Sequence, residues 1–205
     1  LRAADLLASA PKVNDAAVLL CTEEAAVSLA VSGQPEHAVD LGRRAKRIRT
    51  AAPEGVRDEL MVASTTRRLG WFLLLAGKWE ESEVELLAAR KVFEERLGLK
   101  HHLIAIVDGN LALAALGRKD LARADALSRD AYALGAELKS TPLDQWYGLE
   151  FTRARVLTAL AREEKNPEEA KAKYFQAAVI FDHCWDPFFR FSANAFEWRL
   201  IFVRE

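Results

Sequence analysis

The apolar residues of this chain recur at the spacing of α-helices, in blocks separated by short breaks that contain Gly and Pro. Gly33-Gln34-Pro35 is one such break, and Asn166-Pro167 begins another block with a capping residue and a proline that suits a first helical turn. The blocks predict ten helices, over residues 1–10, 14–32, 35–50, 56–76, 79–97, 101–117, 120–138, 143–163, 167–184 and 188–203. The pattern therefore predicts an all-α chain.

A second pattern, with a longer period, occurs four times along the sequence. A pair of small or apolar residues on one helix is followed at offsets of +13, +17 and +20 by mostly small residues on the next helix. The four pairs are Ala25-Ala26, Leu69-Gly70, Leu111-Ala112 and Leu157-Thr158. A repeated helical hairpin cannot bury its apolar face alone, so neighbouring hairpins have to stack. The sequence thus predicts a right-handed α-solenoid of antiparallel hairpins.

The repeat also predicts how the chain is divided. The whole of residues 1–205 is expected to form one helical-repeat domain. Its units are predicted near residues 19–62, 63–104, 105–150 and 151–186, with partial units over 1–18 and 187–205. Because the array starts and stops within a unit, and the chain begins with Leu instead of Met, we expect it to be part of a larger protein.

The middle of the chain carries residues that suggest a family. Trp79-Glu80-Glu81-Ser82-Glu83, the stretch from Leu86 to Gly98, and Asn110-Leu111-Ala112 resemble the tetratricopeptide repeat. The likeness is to the longer version found in kinesin light chains and in bacterial signalling proteins, and it covers about Leu19 to Phe181. It implies that the first helix of each hairpin lines a concave groove that receives an extended or helical peptide, and it brings no catalytic activity.

The resemblance places a set of side chains on the wall of that groove. They are Arg67, Arg68, Trp71, Asn110, Arg155 and Arg162, and the same register adds Glu23. Asn110 occupies the repeat position whose side chain, in light-chain-type repeats, binds the backbone of the ligand. Guanidinium groups pair with carboxylates through two hydrogen bonds, so the arginines predict an acidic peptide, with Trp71 as its apolar anchor. The alternative is that the arginines form an ordinary solvated helix face.

The stretch from Phe181 to Phe202 has a density of aromatic residues that the rest of the chain lacks. One interpretation is a closing helix whose rings bury the end of the stack. The other is an apolar docking face for another domain or a second copy of the chain, with Phe188, Phe189 and Trp198 as its candidate residues.

Composition narrows the class of partner. The chain has 51% apolar residues, enough for a sizeable core, and a formal net charge of −1 at pH 7, which attracts neither nucleic acid nor an anionic membrane. Its densest basic run, Arg43 to Arg49, lies near the C-terminus of a predicted second helix, where cations offset the helix dipole. Cys21 and Cys184 are expected to be free thiols, which suits a reducing cytoplasm.

Candidate chemistry is sparse. His101 and His102 are adjacent, so on a helix their side chains point about 100° apart and cannot chelate one ion together. We expect them to cap a helix or to lie in solvent. The sequence has no phosphate-binding loop, nucleophile elbow or zinc-protease signature. We therefore expect no enzymatic activity, no cofactor and no metal.

These observations favour a protein-interaction module that binds a peptide or a partner surface in a concave groove. The alternative is a regulatory sensor segment of a larger signalling ATPase or transcription regulator. A third hypothesis is self-assembly through the ends of the array, which would make a homodimer the working state.

Overall fold

A computed structural model describes residues 15–52, 57–138 and 143–191, with side chains over 18–52, 57–138 and 148–182. Within these ranges the backbone forms eight α-helices and no strand, so the all-α prediction is confirmed. The helices are α1 (Asp15–Val31), α2 (Pro35–Thr50), α3 (Glu59–Leu75), α4 (Trp79–Leu97), α5 (His102–Gly117), α6 (Leu121–Glu137), α7 (Leu143–Glu163) and α8 (Pro167–Phe191). The helix predicted over residues 1–10 lies outside the described residues.

The last helix is longer than the sequence pattern predicted. The pattern ended it at residue 184 and began a new helix at 188, whereas α8 continues through Pro187 to Phe191. Proline holds its own φ near the helical value, so a helix can pass through it at the loss of one backbone hydrogen bond. The predicted break was therefore wrong. The rest of the predicted final helix lies outside the described residues.

The described chain falls into two compact units that divide within α4, after Val92. In the first unit, α1 packs against α2 and α3, and α2 packs against α3. In the second unit, α5 packs against α6 and α7, α6 against α7, and α7 against α8. Neighbouring helices thus contact one another as they do in helical-repeat folds. We call α1, α3, α5 and α7 first helices, and α2, α4, α6 and α8 second helices.

The small residues of the repeat lie in the cores of the units. The residues at offsets +13, +17 and +20 are buried on α2, α4 and α6: Ala38, Gly42, Ala45, Ser82, Leu86, Ala89, Ala124, Ser128 and Ala131. Gly42 shows why they are small, since a Cβ there would lie 2.9 Å from Cδ2 of Phe72 on α3. Ser82 adds a hydrogen bond, because its hydroxyl donates to the Gly70 carbonyl at 2.8 Å. The repeat read from the sequence is therefore a packing repeat.

Three hairpin turns share one hydrogen-bond pattern at the end of their first helix. After α1, Gln34 N–H donates to the Leu29 carbonyl at 2.9 Å, and Gly33 lies in the left-handed region with φ 81°. Gly77 repeats this geometry after α3, with φ 71°. Lys119 takes the same place after α5, with φ 62°. The shared turn is a Schellman-type cap, which favours glycine at the left-handed position.

Candidate functional site

The predicted groove residues lie on first helices in both units. Arg67, Arg68 and Trp71 are on α3 in the first unit and are half-buried. In the second unit, Asn110 is half-buried on α5, and α7 carries the half-buried Arg155 and the exposed Arg162. Each set is described within its own unit below. The assembly-face candidates Phe188 and Phe189 lie on α8 beyond its described side chains, and Trp198 lies outside the described residues.

In the first unit, exposed and half-exposed side chains follow α1 and α3 at helical spacing. We call them the α1/α3 surface: Leu20, Glu24, Met61, Arg67, Arg68 and Trp71. Large apolar side chains on this surface are open to solvent, since Leu20 is 60% exposed and Met61 is 43% exposed. The surface therefore combines apolar area with charge.

Glu23 does not line this surface, and the prediction that placed it there was wrong. It is only 7% exposed, because it faces the neighbouring helices α2 and α3. Its carboxylate accepts two hydrogen bonds from Arg49, with Nε at 3.0 Å and Nη2 at 3.2 Å, and one from the Thr65 hydroxyl at 2.6 Å. Arg68 Nη1 lies 3.5 Å from the same carboxylate. Glu23 is thus the centre of a polar network that ties three helices together.

The pKa of Glu23 reports the balance of forces on this network. Burial raises the pKa, but hydrogen bonds from Arg49 and Thr65 and the charges of Arg49 and Arg68 outweigh burial. The net result is a pKa below the ordinary value of a glutamate. Glu23 is therefore ionised at neutral pH, and its charge compensates part of the positive charge of Arg68.

No carboxylate pairs with the Nε of Arg67 as Glu23 pairs with Arg68. Among the side chains that the structure describes, this nitrogen is the buried polar atom without a hydrogen-bond partner. Burial and the neighbouring charge of Arg68 lower the pKa of Arg67 to about 10, so the group is still protonated at neutral pH. A protonated guanidinium with a buried, unmatched donor is costly to the folded chain.

Trp71 belongs partly to the core and partly to the surface. Its ring lies 5.4 Å from that of Phe72, at a tilt of 48°. It packs against the buried cluster formed by Ala26, Val39 and their neighbours, while part of the side chain stays accessible. The core thus holds the indole in a fixed orientation, so its accessible part is a rigid apolar contact.

The predicted groove residues of the second unit have a different environment. The guanidinium of Arg155 lies 5.8 Å from the centre of the Phe151 ring on the same helix, within the range of a cation–π contact. Asn110 supplies a neutral polar side chain on α5. Asp108, two positions before Asn110 on the same helix, is only 7% exposed, so this residue belongs to the interior.

A polar contact between α6 and α7 in the second unit escaped the sequence analysis. Arg153 Nη1 donates to Asp125 Oδ1 at 2.6 Å and to the Ser128 hydroxyl at 2.9 Å, and it ties α7 to α6. The only sequence signal for this contact was Ser128, which occupies a repeat position where small residues are expected. Nothing in the local sequence indicates that Arg153 points inward.

The basic run on α2 is largely matched by carboxylates. Arg43 pairs with Glu81 at 2.6 Å, Lys46 pairs with Glu85, and Arg49 pairs with Glu23. The first two pairs join the second helices α2 and α4. These side chains therefore act within the first unit, between its own helices.

His101 caps α5, which is one of the two roles that the sequence predicted for it. Its Nδ1 accepts the backbone N–H of Leu103 at 3.2 Å. Over the described residues, no group of three or more His, Cys, Asp or Glu side chains is arranged to hold a metal ion. No helix in that part of the chain has the length and apolar character to cross a membrane.

Comparisons with known proteins support the fold. No family model matches the sequence, and no curated protein matches it. Among solved structures, the chain is similar to BtubC (BKLC) from P. vanneervenii, with a TM-score of 0.62 and 17% sequence identity over 89% of this chain and 68% of that chain. BtubC is a kinesin light chain-like protein of the tetratricopeptide type. The chain therefore has a helical-repeat fold similar to that of a tetratricopeptide protein.

Proposed function

We propose that this chain is a protein-interaction module that binds an acidic peptide segment of a partner on the α1/α3 surface. The observation that carries the proposal is the buried, unpartnered Nε of Arg67. A carboxylate is the protein group best suited to it, because a guanidinium donates paired, charge-assisted hydrogen bonds to the two carboxylate oxygens.

The Glu23 network supports Arg67 as the main contact. Glu23 and Arg68 are already an ion pair, so an incoming carboxylate at Arg68 has to compete with Glu23. Arg67 has no carboxylate of this kind at its Nε. The two adjacent arginines therefore have different roles: Arg68 steadies the network, and Arg67 receives the ligand.

The apolar side chains of the same surface add affinity. Leu20 and Met61 are the exposed apolar residues of α1 and α3, and Trp71 is the rigid aromatic anchor. Burying apolar area contributes about 25 cal/mol per Å², so a ligand that covers these side chains gains more than one ion pair provides. We therefore infer a partner segment with both acidic and large apolar residues.

The similarity to BtubC supports interaction at the level of the fold, since helical repeats present extended surfaces to other proteins. Asn110, Arg155 and Arg162 remain predicted partner contacts of the second unit by itself. The acidic and apolar character of the partner is therefore inferred from the side chains of the α1/α3 surface.

A random peptide library displayed on phage tests the proposal. The chain is immobilised and the library is selected at low and at physiological salt, with the Arg67→Glu variant as a parallel target. We expect the selected peptides to be enriched in Asp or Glu next to Trp, Phe or Leu. The Arg67→Glu variant should not retain them.

Arg47→Glu is the matched control, because Arg47 is an exposed arginine on the second helix α2. It changes the net charge by the same amount and should leave selection unchanged. Selection of basic peptides, or of the same acidic peptides by the wild-type chain and by Arg67→Glu, would contradict the proposal. Circular dichroism checks that each variant keeps its helices.

A further inference from the structure

The outer side of α8 carries an exposed stripe of apolar residues. Phe175, Val179 and Tyr174 are 71%, 53% and 44% exposed, respectively. On the other described helices, exposed large apolar side chains occur singly or in pairs. The helical spacing places the three residues on one side of α8, together with three further exposed residues. We call this surface the α8 face: Lys171, Tyr174, Phe175, Ala178, Val179 and Asp182.

The opposite side of α8 is packed on α7. Ala177 is buried in a cluster with Ala154 and Leu157 of α7. Phe181 packs against this cluster, and its ring lies 5.9 Å from that of Phe151 on α7. The core of the second unit therefore uses one side of α8, and the α8 face is the other side, which the described part of the chain leaves open.

The residues of the α8 face form three pairs that are symmetric about one point, midway between Gln176 and Ala177. The pairs are Lys171 with Asp182, Tyr174 with Val179, and Phe175 with Ala178. If a second α8 runs antiparallel to the first, with its centre at the same point, each residue lies level with the other member of its pair. Such a face is complementary to itself, which is the property that a two-fold symmetric dimer requires.

The members of each pair also match in chemistry. Lys171 on one copy and Asp182 on the other are oppositely charged, and the symmetry repeats this pair at both ends of the contact. The large ring of Phe175 comes level with the small side chain of Ala178, which leaves room for it. The third pair adds apolar area. A parallel arrangement would instead place like charges side by side, so the order of the residues favours the antiparallel one.

We propose that the α8 face binds the α8 face of a second copy of this chain, in an antiparallel pair of helices related by two-fold symmetry. The partner is thus the chain itself, and the two Phe175 rings are buried near the centre of the contact. A single helix pair is a small interface, so we expect a weak dimer that forms in the micromolar range. The proposal does not depend on the α1/α3 surface or on its ligand.

Analytical ultracentrifugation of the full chain tests the proposal over concentrations from about 1 µM to about 300 µM, a range that covers weak interfaces. We expect the wild-type chain to pass from the mass of one chain to the mass of two. Phe175→Ser should raise the dissociation constant at least about tenfold, because both rings of the pair lose their apolar contact. Val84→Ser is the matched control, because Val84 is 68% exposed on α4, and it should leave the constant unchanged.

A charge exchange tests the antiparallel order of the pair. Lys171→Glu alone and Asp182→Lys alone each place like charges opposite one another at both ends of the contact, so each should raise the dissociation constant about threefold to tenfold. An equal mixture of the two variants should form a mixed dimer as tight as the wild-type dimer, because it restores both pairs of opposite charges. Arg47→Glu is the control, since it changes the charge of an exposed residue on α2 and should have no effect.

Three results would overturn the proposal, and circular dichroism checks that each variant keeps its helices. One is a wild-type chain that keeps the mass of a monomer over the whole range, which would leave the α8 face to a different protein. Another is a dimer whose dissociation constant does not respond to Phe175→Ser, since a different surface would then join the two copies. The third is a mixture of the two charge variants that associates no better than either variant alone.

Discussion

The first helices of the two units carry similar residue types, but these residues have different contacts within the chain. On α3, Arg67 has a buried Nε without a partner, and apolar side chains beside it are open to solvent. On α7, Arg155 lies over the Phe151 ring of its own helix. The comparison shows that the repeat fixes the backbone and the core, while single side chains decide which charged groups have partners within the chain.

The largest expected effect comes from the polar network of the first unit. Glu23→Ala removes the acceptor of Arg49, Thr65 and Arg68 and leaves a buried guanidinium without its carboxylate. Breaking a buried ion pair in this way costs about 3 kcal/mol of unfolding free energy. Urea unfolding measures it. Glu24→Ala, on the exposed neighbouring position, should cost less than about 0.5 kcal/mol, and equal losses for the two variants would contradict the network.

The same network predicts a pH dependence. Because the folded pKa of Glu23 is lower than its unfolded value, about 4.3, its contribution to stability is complete above that value. The contribution is lost as the pH falls through the lower folded pKa. Glu23→Gln should therefore lose its stability difference from the wild-type chain in strong acid. A difference that stays constant from neutral pH into strong acid would contradict this assignment.

Glycine replacement contrasts a tightly packed position on α3 with an open position on α7. A Cβ at Gly70 would lie 2.7 Å from Cγ of Leu86, whereas at Gly148 on α7 it would meet nothing within 4 Å. Gly70→Ala should cost about 1–2 kcal/mol, because overpacking exceeds the gain in helix propensity. Gly148→Ala should stabilise the chain by about 0.5–1 kcal/mol. Thermal unfolding distinguishes them, and the same sign for both would refute the packing argument.

The smallest expected effect lies in the hairpin turns. Lys119 has the left-handed conformation that Gly77 has in the equivalent turn. Lys119→Gly should therefore stabilise the chain by about 0.5–1 kcal/mol, since it removes the strain of a side chain at positive φ. Lys119→Ala is the control and should change little, because alanine has the same strain. A gain with alanine equal to that with glycine would show that loss of the lysine side chain is responsible.

The helices and their repeat could be predicted from the sequence because they depend on local signals. The 3.6-residue period, Pro35 and Pro167 at helix starts, and Gly33 and Gly77 in turns all act within a few residues. Lys119 could not be recognised as a turn residue of this kind, because its conformation is imposed by the hairpin. The continuation of α8 through Pro187 could not be predicted either, because proline is normally a local signal for the end of a helix.

The surface was less predictable, because burial of a charged residue depends on distant partners. Glu23 was assigned to the correct helix but to the wrong environment. Its partners Arg49 and Thr65 are 26 and 42 positions away in the sequence. Arg67 was selected as one of several arginines, and its unpartnered Nε is visible only in the folded chain. Local periodicity thus identifies a helix face, while three-dimensional contacts decide which of its charges is free for a ligand.

The most direct test of the proposed function is a charge exchange at Arg67. A selected acidic peptide and the same peptide with Lys in place of its Glu or Asp are titrated against the wild-type chain and against Arg67→Glu, with Arg47→Glu as control. We predict that Arg67→Glu weakens the acidic peptide at least about tenfold and binds the lysine peptide better than the wild-type chain does. Equal affinity of the acidic peptide for the wild-type chain and for Arg67→Glu would contradict the account.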